Sequence, residues 1–353
     1  MTRKLKAVVF PRPNEVEFQE FDLPPCGAED VVVKTHYSMV SSGTELRMWS
    51  GKAQFPMIPG YAAVGEIIEV GAKVVGYRRG DLISGRSCPR FVPGINAPCG
   101  GHMSFQVYPA TGEDRPVLLP AGAQPLDYVI TEIASICQRG VAAAAPQPAE
   151  TAVVLGQGVI GAFSAAWLHA AGCHVIVADL EEGRLERTRK WSQGQVATVR
   201  ISAEGAAERI LAMLNGGADI VVESSGSIPG VKMALSLVRG KPRNQGGSAY
   251  YRGEPIATFA GSWPRLVMQA SYTELVSLAP HGFYPGEGLT ILCPADRSLE
   301  DRQKTVKAIQ KGVLRAADFL DQVVPSTAAP AIYSSLRDDK GRCFSAVFDW
   351  TQG

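Results

Sequence analysis

The first third of the chain places short β-branched runs between turn residues. Ala7-Val8-Val9-Phe10, Val31-Val32-Val33-Lys34-Thr35 and Ala63 to Val70 are separated by Pro, Gly, Asn and Asp. That texture predicts many short strands and a barrel-like β module. From about residue 129 the pattern changes. Ala152–Leu155, His174–Asp179, Ala218–Glu223 and Glu274–Ala279 are apolar strand candidates with helical stretches between them. Such alternation is the mark of a parallel, doubly wound sheet. Arg302 to Leu314 then has a helical period, and Arg342 to Trp350 alternates again like a strand. The chain is therefore expected to return to its first module. Residues 1–128 and 299–353 would form one domain, with 129–298 inserted in it.

The densest local pattern lies at the start of the inserted domain. Val153-Val154-Leu155 suits a strand buried on both faces, and Gly156-Gln157-Gly158-Val159-Ile160-Gly161 follows it directly. Ala162 to Ala171 is rich in Ala and Leu with no Pro, so a helix is expected there, stopped by Gly172. In a strand–turn–helix context the first glycine allows a tight turn and the second lets the backbone approach a pyrophosphate. The third allows close helix–strand packing. The helix N-terminus presents free N–H groups and partial positive charge to that anion. Asp179 ends the next strand at the roughly 20-residue spacing of a ribose-binding acid. A carboxylate there accepts from ribose hydroxyls and repels a 2′-phosphate, so NAD is expected over NADP. Arg184 lies close by in sequence and would soften that preference. After the strand at 218–223, Ser224 and Ser225 are expected on the cofactor path.

Composition narrows the class without naming a chemistry. The chain has 353 residues, 46% hydrophobic and 20% charged, with net charge +1. It is long enough for two domains and gives no electrostatic reason to expect nucleic acid or an anionic membrane. Its 7 cysteines include no C-x-x-C pair, so neither a disulfide framework nor a zinc ribbon is indicated. The N-terminal stretch lacks the apolar core of a signal peptide, and no run is long enough to span a membrane. A cytoplasmic protein is the expectation. His36 and His169 belong to no motif.

Four further stretches carry a family resemblance. Val40-Ser41-Ser42-Gly43-Thr44-Glu45 resembles the first metal-ligand loop of the medium-chain dehydrogenase/reductase superfamily. Pro59-Gly60-Tyr61-Ala62-Ala63-Val64-Gly65-Glu66 resembles the second. Gly76-Tyr77-Arg78-Arg79-Gly80-Asp81 is similar to the family's Gly-Asp turn, and Gly100-Gly101-His102-Met103-Ser104-Phe105 to its Gly-Gly-x-Ala-Glu strand entry. The resemblance implies a Rossmann doubly wound parallel sheet inserted in a GroES-like β-barrel catalytic domain. It also implies a small hydroxyl- or carbonyl-bearing substrate and a homo-oligomer, dimer or tetramer. His281-Gly282-Phe283-Tyr284 resembles a family stretch close to the nicotinamide, so Gly282 and Phe283 join the expected cofactor residues.

The departures from the family are as informative. The zinc enzymes have Cys at the position of Ser42, and His then Glu at Tyr61 and Ala62. Ser, Tyr and Ala are not competent zinc ligands. Cys88, Cys99 and His102 could be imagined as three ligands, but the two cysteines are 11 apart and no fourth ligand is evident. A zinc-independent member with no metal is the expectation. An acid, base or donor must then act at the substrate oxygen. Thr44 matches the family's proton-relay hydroxyl, Tyr61 replaces the ligand His, and Ser42 is near both by implication. Glu132 resembles a glutamate that approaches the metal in polyol dehydrogenases, where it would order the site or bind a substrate hydroxyl. Glu45 would pair with a C-terminal base, with Arg342 as the candidate.

The reaction expected is NAD-dependent interconversion of a secondary alcohol and a ketone. Ser42–Glu45 with Trp49, Gly51 and Pro59–Tyr61 resembles bacteriochlorophyllide dehydrogenases, and sugar or cyclitol oxidation in biosynthesis stands beside it. Zinc-free reduction of a C=C bond, as in enoyl and quinone reductases, is the alternative chemistry. A non-catalytic NAD(H)-binding protein is the alternative of another class. Residues 239–266 exceed an ordinary helix–strand link and read as an insertion or a solvated hairpin.

Overall fold

The computed structural model describes residues 3–86, 94–201, 205–214, 216–239, 263–272, 274, 276 and 288–352. By contacts it divides into two units, Met1–Ser135 with Arg297–Gly353, and Ile136–Asp296.

The first unit is β-rich. Strands β1 (Lys4–Val9) and β2 (Glu17–Asp22) pair antiparallel. Strand β3 (Asp30–Met39) leads to helix α1 (Ser42–Trp49), then β4 (Ala62–Val70), β5 (Leu82–Gly85), β6 (Phe105–Pro109) and β7 (Val117–Leu118). Helix α2 (Thr131–Ala143) begins in this unit and contains the division point. After the insertion come α7 (Leu299–Gln310), β14 (Gln322–Pro325), α8 (Ala329–Asp338) and β15 (Ala346–Asp349). The larger sheet runs β14-β15-β3-β4-β5-β7, with β6 also on β3. Strand β15 pairs antiparallel with the end of β3. Gly65 sits inside β4 because an added Cβ would meet the Lys34 carbonyl oxygen at 2.3 Å. One apolar cluster joins Phe10, Trp49, Tyr333, Phe348 and Trp350, so both ends of the chain close one core.

The second unit holds β8 (Thr151–Leu155), α3 (Val159–Ala170), β9 (His174–Asp179), α4 (Glu182–Trp191), β10 (Ala197–Arg200), α5 (Ala206–Met213), β11 (Ile220–Glu223), α6 (Ile228–Leu237), β12 (Arg265–Met268) and β13 (Thr290–Leu292). Its six strands are all parallel, in the order β10-β9-β8-β11-β12-β13. Along β8 the faces alternate. Val153 and Leu155 join one buried cluster, and Ala152 and Val154 the other, so the strand is covered on both sides. This is the expected Rossmann sheet, and its strand order reverses between β8 and β11, where nucleotides bind such sheets.

One strand is displaced from its expected place. The neighbour of β11 is Arg265–Met268, not Glu274–Ala279. Glu274 and Val276 lie outside any strand, and the rest of that stretch is outside the described residues. The strand opens on a charged residue, which hid it from an apolar-run reading. Arg265 is buried because its guanidinium meets Glu150 Oε1 at 2.7 Å and the Ala144 carbonyl at 3.0 Å. So the supposed insertion ends in sheet at Arg265, while 240–262 lies outside the described residues. Among the described residues no helix is long and apolar enough to cross a membrane.

Candidate active site

In the second unit the turn after β8 is shaped by its glycines. Gly156 has φ +87°, and a Cβ on it would meet the Ser225 amide at 2.9 Å. A Cβ on Gly161 would meet the Gly156 carbonyl oxygen at 1.8 Å, which only glycine avoids. Gly158 is the N-cap of α3, with nothing within 4 Å of an added Cβ, so the main chain there is open to approach. Val159 and Ile160 form the first turn of α3. The features of a pyrophosphate cradle are therefore all present.

The side chains around the turn hold it. Asp179 Oδ2 accepts from the Gln157 amide at 2.5 Å, and Oδ1 from the Glu181 amide at 2.8 Å. Arg184 Nη1 stands 3.6 Å from Oδ2. Gln157 donates to the Gly156 carbonyl at 3.0 Å and accepts from Thr188 Oγ1 at 3.1 Å. Ser224 Oγ lies 2.7 Å from the Leu155 carbonyl and 2.9 Å from that of Gly156, tying β11 to the turn. Ser225 donates its N–H to Glu223 Oε1 at 2.9 Å. The fully buried Glu223 carboxylate also accepts from Ser225 Oγ, the Gly226 amide and the Tyr272 hydroxyl. Burial, then the bond to Glu223, pushes the Tyr272 phenol far up. Glu223 as organiser of this loop was not foreseen. An acid ending an apolar strand before Ser-Ser-Gly was the signal. Gly282 and Phe283 lie outside the described residues.

In the first unit Tyr61 immediately precedes β4, and its hydroxyl donates to Ser41 Oγ at 2.6 Å. The Arg86 guanidinium lies 5.0 Å from the centre of the Tyr61 ring. A Cβ on Gly101 would meet the Tyr61 amide at 2.7 Å, so this glycine lets the strand entry pack against the main chain of Gly60 and Tyr61. Thr44 is half-buried in the first turn of α1. Ser42 donates its hydroxyl to the Phe344 carbonyl at 2.9 Å.

Behind Ser41 lies a group that the sequence did not reveal. Glu45 is fully buried. Its Oε1 accepts from the Ser41 amide at 2.7 Å, and its Oε2 lies 2.9 Å from His102 Nε2 and accepts from Tyr333 OH at 2.5 Å. His102 Nδ1 lies 2.8 Å from Ser38 Oγ, which accepts from Trp350 Nε1 at 2.8 Å. A Cβ on Gly60 would strike the His102 ring at 2.7 Å, which explains that glycine. The expected pairing of Glu45 with Arg342 is corrected here. The C-terminal partner is the Tyr333 phenol, while Arg342 donates its amide to the Asp339 carbonyl at 3.1 Å. A buried carboxylate needs donors rather than one base, and the neutral donors supply them.

Glu132 is placed elsewhere. It is also fully buried, with Oε2 2.9 Å from Arg297 Nε and Oε1 3.6 Å from Arg302 Nη1. These described contacts of Glu132 are with arginines, not with Tyr61 or Ser41. His102, committed to Glu45 and Ser38, has no nitrogen left for a metal. Among the described residues no group of three or more His, Cys, Asp or Glu side chains could hold one.

Residues 27–119 match the alcohol dehydrogenase GroES-like domain and residues 159–243 the zinc-binding dehydrogenase family. The chain belongs to the medium-chain alcohol dehydrogenase family. It is an enzyme of that family, whose members are NAD(P)-dependent. Similar to it are an L-threonine 3-dehydrogenase of Edwardsiella ictaluri, 27% identical over 70% of this chain and 76% of the relative, and a putative D-xylulose reductase of Agrobacterium fabrum, 28% identical over 71% and 78%. The 2R,3R-butanediol dehydrogenase structure from Bacillus subtilis superposes with TM-score 0.78, covering 98% of this chain and 99% of that one at 14% identity. That likeness carries the medium-chain dehydrogenase fold.

Proposed function

We propose that this medium-chain dehydrogenase interconverts a secondary alcohol and a ketone with NAD(H), without a metal, and that Tyr61 exchanges the proton at the substrate oxygen. The observation that carries the reading is the Tyr61–Ser41 hydrogen bond, formed where the family resemblance would put a zinc ligand. The donors present do not fit zinc. Ser42 gives its hydroxyl to main chain, Tyr61 gives its own to Ser41, and Ala62 has none to give.

The bound nicotinamide supplies the hydride acceptor or donor. Gly156 to Gly161 and the N-terminus of α3 would bind its pyrophosphate. Asp179 Oδ1, with one backbone donor, keeps a lone pair for a ribose hydroxyl. With the Tyr61 proton directed to Ser41, the phenol oxygen would accept a hydrogen bond from the substrate alcohol. As the alcohol proton moves onto that oxygen, the phenol proton passes to the Ser41 hydroxyl, whose own proton leaves toward solvent. Reversal of the same path protonates the alkoxide formed from a ketone. Thr44 is the second hydroxyl of the site, and Ser42 lines it. Glu132 holds the fold through its arginines.

The relatives named for threonine and xylulose support a small polyhydroxylated or hydroxylated substrate, of the sugar or cyclitol kind. A biosynthetic setting rests only on the resemblance carried by Ser42–Glu45, Trp49–Gly51 and Pro59–Tyr61.

Nicotinamide absorbance tests the reading, with sugar alcohols, cyclitols, butane-2,3-diol, L-threonine, simple ketones and enones as probes. Turnover on the alcohols or ketones is expected, and turnover confined to enones would replace the reaction. Tyr61→Phe should lose about 10²- to 10⁴-fold in rate, the usual worth of a general acid–base group, while binding NADH normally. Unchanged turnover removes Tyr61 from the mechanism. Tight stoichiometric zinc in the active enzyme would overturn the metal-free reading.

A further inference from the structure

We infer that Glu45 and His102 are positioning residues, a buried clamp that turns Ser41 Oγ away from helix capping and fixes it on the Tyr61 phenol. The inference deepens the proposed function and rests on Tyr61 as its acid–base group.

Ser41 is the N-cap of α1, and a serine there ordinarily accepts from an amide of the first helical turn. Its side chain makes no such bond. The capping works in reverse: Glu45 reaches back and takes the Ser41 amide at 2.7 Å, while Ser41 Oγ accepts the Tyr61 hydroxyl at 2.6 Å. A capping box would place the returning acid three residues after the cap. Here it is four residues on, and it sits in the core rather than at the surface. A capping bond has thus been given up at a hydroxyl that meets Tyr61.

The clamp is held from three other elements. Tyr333 comes from α8, His102 from the strand entry before β6, and Ser38 from the end of β3, with Trp350 bonded to Ser38 after β15. The His102 ring also meets Phe348 edge-on, with centroids 4.9 Å apart at 81°. One ordering of protons that satisfies the whole chain takes the His102 tautomer with its hydrogen on Nε2. Trp350 donates to Ser38, Ser38 to His102 Nδ1, and His102 Nε2–H to Glu45; Tyr333 and the Ser41 amide donate to Glu45 as well. Ser38, His102 and Glu45 have the order of a nucleophile triad, but all three are fully buried, so none touches substrate. Apolar residues of similar volume would often stabilise a core as well as a buried polar network does. What such residues could not do is receive the Ser41 amide and hold its rotamer.

The test reads the position of Tyr61 independently of turnover. The full-length enzyme is labelled with 3-fluorotyrosine, and the Tyr61 resonance is assigned by its loss in Tyr61→Phe. Glu45→Ala should shift or broaden that resonance. Glu45→Gln should largely restore it, because an amide oxygen can still accept from Ser41 and its NH₂ can face a re-tautomerised His102. In kinetics, Glu45→Ala should lower kcat by roughly 10²-fold, as misplacement by about an ångström does. KM for NAD and for the alcohol probe should change by less than about threefold, and Glu45→Gln should recover most of the loss, because only the placement of a catalytic group is altered. If Glu45→Ala does not fold, His102→Gln serves in its place, with the same shift expected. A Tyr61 resonance that stays put in a folded variant, with thermal stability alone reduced, overturns the inference. If instead the resonance moves while Tyr61→Phe turns over normally, the clamp stands and the proposed proton path fails.

Discussion

Two glutamates in the first turns of two helices of the first unit are both sealed from solvent, yet they are answered in opposite ways. Glu45 on α1 meets neutral donors and a histidine, and passes its hold to a serine that meets a phenol. Glu132 on α2 meets two arginines. One of them, Arg302, is itself fully buried and donates to the Arg115 and Glu113 carbonyls. A carboxylate surrounded by oriented hydrogen bonds is a positioning device. A carboxylate between guanidinium groups is a counter-charge. The family resemblance offered Glu132 as a site residue and treated Glu45 as scaffold. The partners of each, rather than its sequence context, separate the two roles.

The largest effect expected from this contrast is on stability. Removing one partner of a buried ion pair costs about 3–5 kcal/mol, because the remaining charge is left uncompensated. Glu132→Gln should therefore lower the denaturant midpoint sharply, with Arg302 and Arg297 left facing an amide. Glu45→Gln replaces hydrogen bonds among mostly neutral groups and should cost about 1–3 kcal/mol. Equilibrium denaturation of the two variants side by side decides the matter. Equal losses would erase the distinction between counter-charge and clamp.

Asp179 stands between these two cases, with two backbone amides and one arginine, and at 5% exposure it is nearly buried. If it works by hydrogen bonds, as Glu45 does, its charge is available to a ribose. Asp179→Asn should then weaken NADH by roughly 10-fold, since a bond to a charged group is worth about 1.5–3 kcal/mol. The same change should improve NADPH relative to NADH by removing repulsion of the 2′-phosphate. Arg184→Ala should leave NADH affinity within about threefold, because at 3.6 Å the guanidinium is beyond hydrogen-bond reach of a carboxylate that two backbone amides already hold. Titration of cofactor fluorescence checks all three. Should Arg184→Ala instead match Asp179→Asn, the pair would behave like Glu132 with its arginines.

How much of this was legible in the sequence follows from what builds each part. The pyrophosphate turn is made of main chain, and its requirements fall on glycines at fixed spacing, so Gly156, Gly158 and Gly161 announced it. Strands buried on both faces, such as β8 and β9, showed as apolar runs. Strand β12 did not, because Arg265 is buried through Glu150 and the Ala144 carbonyl, both more than a hundred residues earlier. The Tyr61 site is made of side chains brought together from α1, β3, the Gly-Gly turn and α8. Nothing local marks His102 or Tyr333 as partners of Glu45. A serine four residues before Glu45 was visible, but the capping-box spacing is three, so the reversal had no recognised signature.

Cys137 supplies the weakest and most specific check, since it is a buried acid answered by a hydroxyl, Ser164, rather than by a network of donors or by arginines. It lies in α2 within the second unit, and its Sγ donates to the Ile160 carbonyl at 3.3 Å. Among the described residues no cation faces it in the way Arg297 and Arg302 face Glu132. Burial pushes its thiol up to about 12, slightly countered by Ser164. The folded state then holds this proton at pH values where the unfolded chain, near an ordinary thiol, has released it. The contribution to stability is fully present below about pH 9 and is lost as pH rises through the window toward 12. Cys137→Ala should therefore flatten the fall of the melting temperature between pH 9 and 11, beyond its constant packing cost. The wild-type thiol should also resist iodoacetamide at pH 8.5 while exposed Cys293 reacts. An unchanged alkaline slope would mean that burial alone does not hold this acid neutral. The contrast between Glu45 and Glu132 would then have to be drawn from geometry without the help of desolvation.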